Sequence, residues 1–305
     1  MKKVLVINFS QSGQLDEIVT NFISGLENVA IDRIHFKPHR KFPFPWKTTN
    51  FYNSMPETVD ENPIQLEAIE FKEEKYDLIV LGYQPWFLSP SLPTSSLLQD
   101  HEFKKRMHET PIVTIIGARN MWLNAQESVV QHVQNSGGKL VGNIALVDRS
   151  PNHLSAISIV HWMMTGKKTR KWGIFPIPGV SQQDIEHCVK YGIALNECMK
   201  HSNYSGYQNS VVSKGGIRIN TNILFIEGRA KNIFRLWARL IKKKESQGKN
   251  RVFWIKFFRF YLNFALFFVA PILLLLYTFL IRPFSVKKIN NSKKRFKYLG
   301  INLKH

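Results

Sequence analysis

Between an apolar run ending at Phe9 and an amphipathic stretch that opens on Leu15, the chain reads Ser10-Gln11-Ser12-Gly13-Gln14. Two hydroxyls at alternate positions and one glycine let a backbone curl so that several N–H groups, and the N-terminus of the helix that follows, face one anion. The sequence has neither a P-loop nor a three-glycine dinucleotide fingerprint here. The anion that fits is therefore a phosphate monoester held mostly by neutral donors. Two further stretches carry groups suited to a flat ring: Tyr83-Gln84-Pro85-Trp86-Phe87 and Gly117-Ala118-Arg119-Asn120-Met121-Trp122. Each offers a tryptophan face and amides for a ring edge. Trp86 and Trp122 are the expected stacking surfaces, against the plainer reading that each packs under its own loop. Tyr83, Arg119 and His161 are the candidates for handling protons and charge, Arg119 as the cation for a developing enolate oxygen. His35 and His39 are separated by Pro38, which breaks any helix between them, so no metal pair is expected.

These stretches gain meaning from the elements that must hold them. Lys3 to Phe9, Tyr76 to Tyr83, Pro111 to Gly117 and Lys139 to Val147 are continuous apolar runs, the pattern of strands buried on both faces; Val29 to Phe36 alternates weakly and fits an edge. Helical spacing falls between them, at Leu15, Ile18, Val19, Phe22 and Leu26, at about 93–107, at about 123–135, and in a closing helix at about 181–200. The expectation is a doubly wound α/β domain over residues 1–200 with a five-stranded parallel sheet in the order 2-1-3-4-5. Its ligand site would lie outside the carboxyl ends of the strands, where all three stretches fall. Residues 37–62, rich in Pro, Phe and Asn, read as a long loop. After the fifth strand comes an insertion, Ser150 to Gly179, which is either a surface excursion or a lid or acyl-chain channel built on His161, Trp162, Met163 and Met164. Residues 201–228 read as a linker with one short strand or hairpin at NILFI. Cys188 and Cys198 lie in a helical pattern with no metal-ligand or disulfide spacing and read as packing residues.

The formal charge of +20 is concentrated: residues 229–305 hold 19 of the 42 Lys and Arg and only one of the 22 acids, +18 against +2 for the rest. That distribution points to a membrane surface and away from nucleic acid. Inside this basic region Tyr261 to Ile281 runs for 21 residues without a charge, about 31 Å as a helix and long enough for a hydrocarbon core of about 30 Å. Basic clusters flank it on both sides, and Pro271 at its centre leaves open a single span, the preferred reading, or a monotopic hairpin. Just upstream, Ile233, Phe234, Trp237, Leu240 and Ile241 alternate with Arg and Lys as an amphipathic helix expected to lie on anionic lipid. No apolar leader stands at the N-terminus, so the α/β domain is expected on the cytoplasmic side of the membrane. Cutting the chain after about residue 228 is then expected to release a soluble α/β domain.

The three loops together resemble the FMN-binding loops of the flavodoxin-like superfamily, over residues 1 to about 200. On that resemblance Ser10, Gln11, Ser12, Gly13, Gln14 and Leu15 would hold the FMN phosphate. Gln84, Pro85, Trp86 and Phe87, with Gly117, Ala118, Arg119, Asn120, Met121 and Trp122, would hold the ring. Leu15 departs from the family's hydroxyl residue and cannot donate a side-chain hydrogen bond. More narrowly, KVLVINFSQSGQLDEIV and the basic, apolar C-terminus are similar to the bacterial dialkylresorcinol condensing enzymes of the DarA family. What this implies is an FMN-dependent aromatisation of a 2,5-dialkylcyclohexane-1,3-dione in making lipids of the flexirubin and aryl-polyene type. The implied substrate is a lipid-like dialkyl ring, with NAD(P)H as a donor or NAD(P)+ or O2 as acceptor, a ketosynthase of the same pathway as a partner, and a homodimer in which one subunit covers the other's flavin. Two alternatives stand beside it: a membrane-anchored NAD(P)H:quinone reductase, and a non-catalytic flavin-binding subunit that recruits a ketosynthase.

Overall fold

The computed structural model describes residues 1–299. Strand β1 (Lys2–Asn8) leads into helix α1 (Gln14–Ile23), followed by β2 (Val29–His35), α2 (Thr48–Asn53), α3 (Met55–Val59), β3 (Leu78–Tyr83), α4 (Leu92–Gln99), α5 (His101–Met107), β4 (Pro111–Ala118), α6 (Leu123–Asn135) and β5 (Lys139–Val147). All five strands pair in parallel in the order β2-β1-β3-β4-β5, with Val4 beside Ile31 and Leu78, Ile79 beside Ile112, and Ile115 beside Ile144. This is the flavodoxin-like arrangement, and its strand order reverses between β1 and β3. Successive residues of β3 show why both faces must be apolar. Gly82 lets α1 close in, since a Cβ there would stand 2.9 Å from Val19, whereas Tyr83 turns to the other face and meets α6. The expected helix over 93–107 is two helices, because Asp100 ends the first and caps the second by accepting from the Phe103 N–H.

The insertion folds as α7 (Asn152–Thr165), and the closing helix divides into α8 (Gln182–Glu186), capped by Ser181, and α9 (Val189–Lys200). At the crossing of α1 and α9 the backbones touch: a Cβ on Gly192 would sit 1.9 Å from the Phe22 carbonyl. Where a linker with a short strand was expected, α10 (Tyr207–Ser213) is followed by α11 (Thr221–Ser246), a helix of 26 residues that takes in NILFI. Asn220 caps it by accepting from the Asn222 N–H, and helical periodicity through Ile223, Trp237 and Ile241 outweighs the strand propensity of the run. Most of the apolar face of α11 expected on lipid is covered, with Ile233 left exposed: Trp237, Ala238 and Ile241 form a cluster with Tyr52, Met55 and Val59 of α2 and α3 and with Ile255 and Phe258.

The last two are members of α12 (Arg251–Ile281), one helix of 31 residues, long and apolar enough to cross a membrane and largely unburied. Pro271 does not break it. The turn before it, Ala265–Val269, widens to π geometry, which accommodates a ring that cannot donate an N–H. A tight turn at Pro283–Ser285 reverses the chain into α13 (Val286–Lys297).

Candidate functional site

A cavity of about 470 Å³ opens at the carboxyl ends of β1, β3 and β4, the size of a small-ligand pocket. Three of its walls are the stretches singled out in the sequence. Gln11, Ser12, Gln14 and Leu15 line it from the first turn, Gln84, Pro85, Trp86 and Phe87 from the second loop, and Gly117, Ala118, Arg119, Asn120 and Met121 from the third.

In the first turn, Gly13 adopts φ +86°, a left-handed geometry that only glycine takes without strain, and its carbonyl accepts from the Glu17 N–H. The α1 N-terminus therefore opens beside the cavity. Asp16, which would repel an anion there, is turned aside to Asn8 Nδ2 at 2.5 Å and His35 at 3.1 Å. Ser10 Oγ is buried without a hydrogen-bond partner, although Ser10 itself and Gly13 do not border the cavity. Gln14 is already committed: its Nε2 donates to the Val180 carbonyl and its Oε1 accepts from the Val180 N–H, both at 3.0 Å. Leu15 packs beneath Gly117.

The second loop is tied by a short antiparallel pairing of Pro85 and Trp86 with Pro90 and Ser89, with Phe87 and Leu88 both at positive φ. Two adjacent non-glycine residues held there cost of order 1–3 kcal/mol each. Gln84 Nε2 is buried with no partner. Trp86 borders the cavity but is 8% exposed, its rings met edge-on by Trp46 at 5.4 Å and Phe42 at 5.1 Å. It walls the pocket as part of an aromatic nest.

The third loop departs most from expectation. Trp122 is 1% exposed, outside the cavity, with Phe296 of α13 edge-on at 6.5 Å. It is a core residue and not a stacking surface. Arg119 does border the cavity. Its Nη1 donates to the Asn152 carbonyl at 3.1 Å, and burial, opposed by Asp148, lowers its pKa to about 10, which leaves it cationic at neutral pH. Asn120 Nδ2 donates to Asn152 Oδ1 at 2.6 Å, and this leaves Asn120 Oδ1 and Asn152 Nδ2 buried without partners. Asn120 thus brings an unpartnered acceptor to the cavity wall, with Asn152 behind it.

The other two proton-handling candidates are elsewhere. Tyr83 is wholly buried in the sheet, its hydroxyl donating to Gln126 Oε1 at 2.6 Å, and burial raises its pKa well above the phenolic range. His161, on α7, does not border the cavity; its neighbour Trp162 does. The ionisable side chains among the lining residues are Tyr52, Arg119 and Lys171, with no carboxylate or imidazole. No group of three or more His, Cys, Asp and Glu among the described residues is arranged to hold a metal ion.

Much of the remaining wall was not anticipated. Phe44, Trp46, Phe51 and Tyr52 come from the stretch read as a plain loop, Ile157 and Val160 from α7, Phe234 from α11, and Leu262, Asn263, Leu266 and Phe267 from α12, whereas Trp162 and Met163 of α7 belong to the group named above for a lid or channel. The density of aromatics in KFPFPWKTTNFY was the available signal for the first group. The site is thus polar along the strand ends and apolar on the opposite wall.

Several solved flavoproteins resemble the chain in outline. A flavoprotein from Lactobacillus acidophilus NCFM in complex with FMN is 19% identical, covering 47% of this chain and 92% of its own, with a TM-score of 0.35. A flavodoxin from the domain Archaea is 15% identical over 65% of this chain and 99% of its own, with a TM-score of 0.36, and a flavone reductase is 12% identical over 65% and 63%, also at 0.36. No protein-family model matches the chain, nor does any curated protein. The fold assignment itself rests on the strand order and the parallel pairing.

Proposed function

We propose that this protein is an FMN-dependent oxidoreductase working at a membrane on an apolar ring substrate, with its α/β domain on the cytoplasmic side. The observation that carries this is the pairing, within one cavity, of partnerless buried polar atoms on two lining residues of the strand-end side, Gln84 and Asn120, with an apolar wall on the other. Gln84 Nε2 and Asn120 Oδ1 lack partners within the protein, as do Ser10 Oγ and Asn152 Nδ2 on residues that adjoin the lining without belonging to it, and buried polar groups normally find one. A flat ring whose edge alternates donors and acceptors, with a phosphate tail at the α1 N-terminus, satisfies them together. FMN, when bound, supplies a two-electron acceptor.

The chain's own residues then have separable tasks. The first turn and the α1 amides hold the phosphate, and Gln84, Asn120 and Asn152 fix the ring edge. Arg119 and Lys171, both at the wall, hold an anionic oxygen of the substrate. Phe234, Leu262, Leu266 and Phe267 exclude water and receive alkyl chains. On the resemblance to the dialkylresorcinol enzymes, the finer reading is conversion of a 2,5-dialkylcyclohexane-1,3-dione to a dialkylresorcinol. Such a dione ionises readily, and its enolate matches the two cations.

A membrane quinone reductase is the second reading, favoured by the lack of a carboxylate or imidazole at the wall, since quinone reduction takes its protons from water. Full-length protein in detergent, loaded with FMN and mixed anaerobically with a dialkylcyclohexanedione, separates them. The first reading expects bleaching of the flavin absorbance and a resorcinol by mass spectrometry. Unchanged flavin with the dione, alongside rapid quinone reduction by NADPH, would overturn it.

A further inference from the structure

By length and composition α12 suits a membrane crossing, but from one end to the other it makes contacts with the α/β domain and with α11, which Glu227 ties to that domain. Arg251 at its start pairs with Glu57 at 2.7 Å and donates to Asn53. Phe258 is fully buried against Tyr52, Phe234 and Trp237. Midway, His153 lies 3.3 Å from the Leu266 carbonyl and its ring 6.0 Å from Phe267. Near the end Tyr277 stacks on Phe225 at 3.8 Å. Past the reversal at Pro283, α13 returns to the domain, where Phe296 meets Trp122 and Gln208 Nε2 donates to the Lys297 carbonyl at 2.7 Å. From Phe258 to Tyr277 is about 28 Å of helix at 1.5 Å per residue, almost the whole hydrocarbon thickness. A crossing helix would have to carry the α/β domain through the bilayer with it.

The outward face of α12 is as continuous as the inward one. Phe253, Phe257, Phe260, Phe264, Phe268, Ile272, Leu275 and Phe279 follow at three- and four-residue steps, with Phe260 68% and Phe279 69% exposed. Such a stripe needs a cover, and the charge around it selects one: Lys256, Arg259, Arg282, Lys287 and Lys288 accompany the stripe without one acid between residues 246 and 305. A second element of the same character lies on the insertion. Trp172, 75% exposed, with Ile174 and Ile177, stands among Lys167, Lys168, Arg170 and Lys171. Lys171 and Leu266 border the same cavity, so the two elements flank one opening.

We infer that α12 lies flat in one leaflet of an anionic membrane, its Phe and Leu stripe among the acyl chains. The 166–177 loop dips in beside it, and the cavity opens between them toward the lipid. Alkylated substrate then enters sideways from that leaflet without passing through water. The inference rests on the membrane part of the proposed function and is independent of its redox chemistry. In-plane helices are held in this way by buried apolar area together with attraction to anionic headgroups.

Spin labels at Phe257→Cys, Phe268→Cys and Phe279→Cys, in full-length protein carrying Cys198→Ser, test it in phosphatidylcholine vesicles with phosphatidylglycerol. A helix in the plane places all three labels at one shallow depth. A crossing helix separates neighbouring labels by up to about 16 Å, with residue 268 deepest, and that pattern would overturn the inference. Membrane-impermeant maleimide gives a second reading: Ser292→Cys and His201→Cys react from the same face of sealed vesicles if α12 lies flat, and from opposite faces if it crosses. Protein that ignores the vesicles at every phosphatidylglycerol content removes the membrane reading, whereas the flavin assay is decided separately.

Discussion

Glu227 is the sharpest place to test the packing of α11 on the α/β domain. It is fully buried, its Oε1 accepts from the Asn124 N–H at 2.8 Å, and its own carbonyl accepts from Asn124 Nδ2 at 2.8 Å, so α11 closes the N-terminus of α6 just behind the third loop. Burial raises the carboxyl from 4.5 to about 8, against the pull of the Asn124, Leu123 and Trp122 amides. The folded state therefore keeps a proton that the unfolded chain gives up near 4.5. Stability from this group is full below that pH and drains away as the pH climbs to about 8. At about 1.4 kcal/mol per unit the ceiling is ~5 kcal/mol, of which local relaxation and water entry leave ~2–3 kcal/mol. Glu227→Gln keeps the acceptor for Asn124 and abolishes the titration. Wild type and variant are expected to melt together near pH 5, with the variant higher by ~4–12 °C near pH 9, at about 2–4 °C per kcal/mol. The assay is thermal unfolding in detergent across this range. A difference that stays constant with pH, or a wild type that gains on the variant as pH rises, would refute the reasoning by showing the carboxylate already ionised at the helix end.

Three further outcomes are expected. Tyr83→Phe leaves Gln126 Oε1 without its donor and costs ~1–2 kcal/mol in urea unfolding with turnover unchanged; a collapse of turnover in a well-folded variant would return Tyr83 to the chemistry. Gln84→Leu weakens FMN binding about tenfold by fluorescence titration, the loss of one hydrogen bond at ~1.4 kcal/mol. Gly192→Ala forces α1 and α9 apart and destabilises by more than ~3 kcal/mol, while Gly228→Ala, whose Cβ would meet nothing within 4 Å, is neutral or slightly stabilising; equal melting of the two would show that the helix crossing can yield.

The sheet was legible because its signal is local. Runs such as VLVIN and LIVLGY can only be strands covered on both faces, and the weak alternation of β2 marks it as the edge it is. The three loops were legible because strand ends in such a sheet point one way. What failed depended on partners far along the chain. Trp122 reads as a loop tryptophan until Phe296, on the returning α13, closes over it. NILFI reads as a strand until Glu227, one residue beyond it, is seen to bond α6. The aromatic stretch 42–52 reads as irregular until Trp86 and Trp46 are found edge to face. Tyr83 was a different error: alternation along β3 already placed it opposite Gly82, on the α6 face and away from the turn.

The return of α13 to the domain bears on how a water-soluble version of this protein is to be made. Removing everything after residue 228 takes away Phe234, Leu262, Leu266 and Phe267 from the cavity and uncovers Trp122. Trimming would thus yield a damaged domain with a newly sticky face, not a freed one. Repainting is the workable route: polar residues at Phe253, Phe260, Phe268 and Phe279 alter only the outward stripe and leave every inward contact of α12 in place. The same asymmetry governs which natural changes the C-terminal quarter tolerates. Drift in its outer surface changes only what that stripe can meet, while drift in its inner surface is read out as loss of the cavity wall.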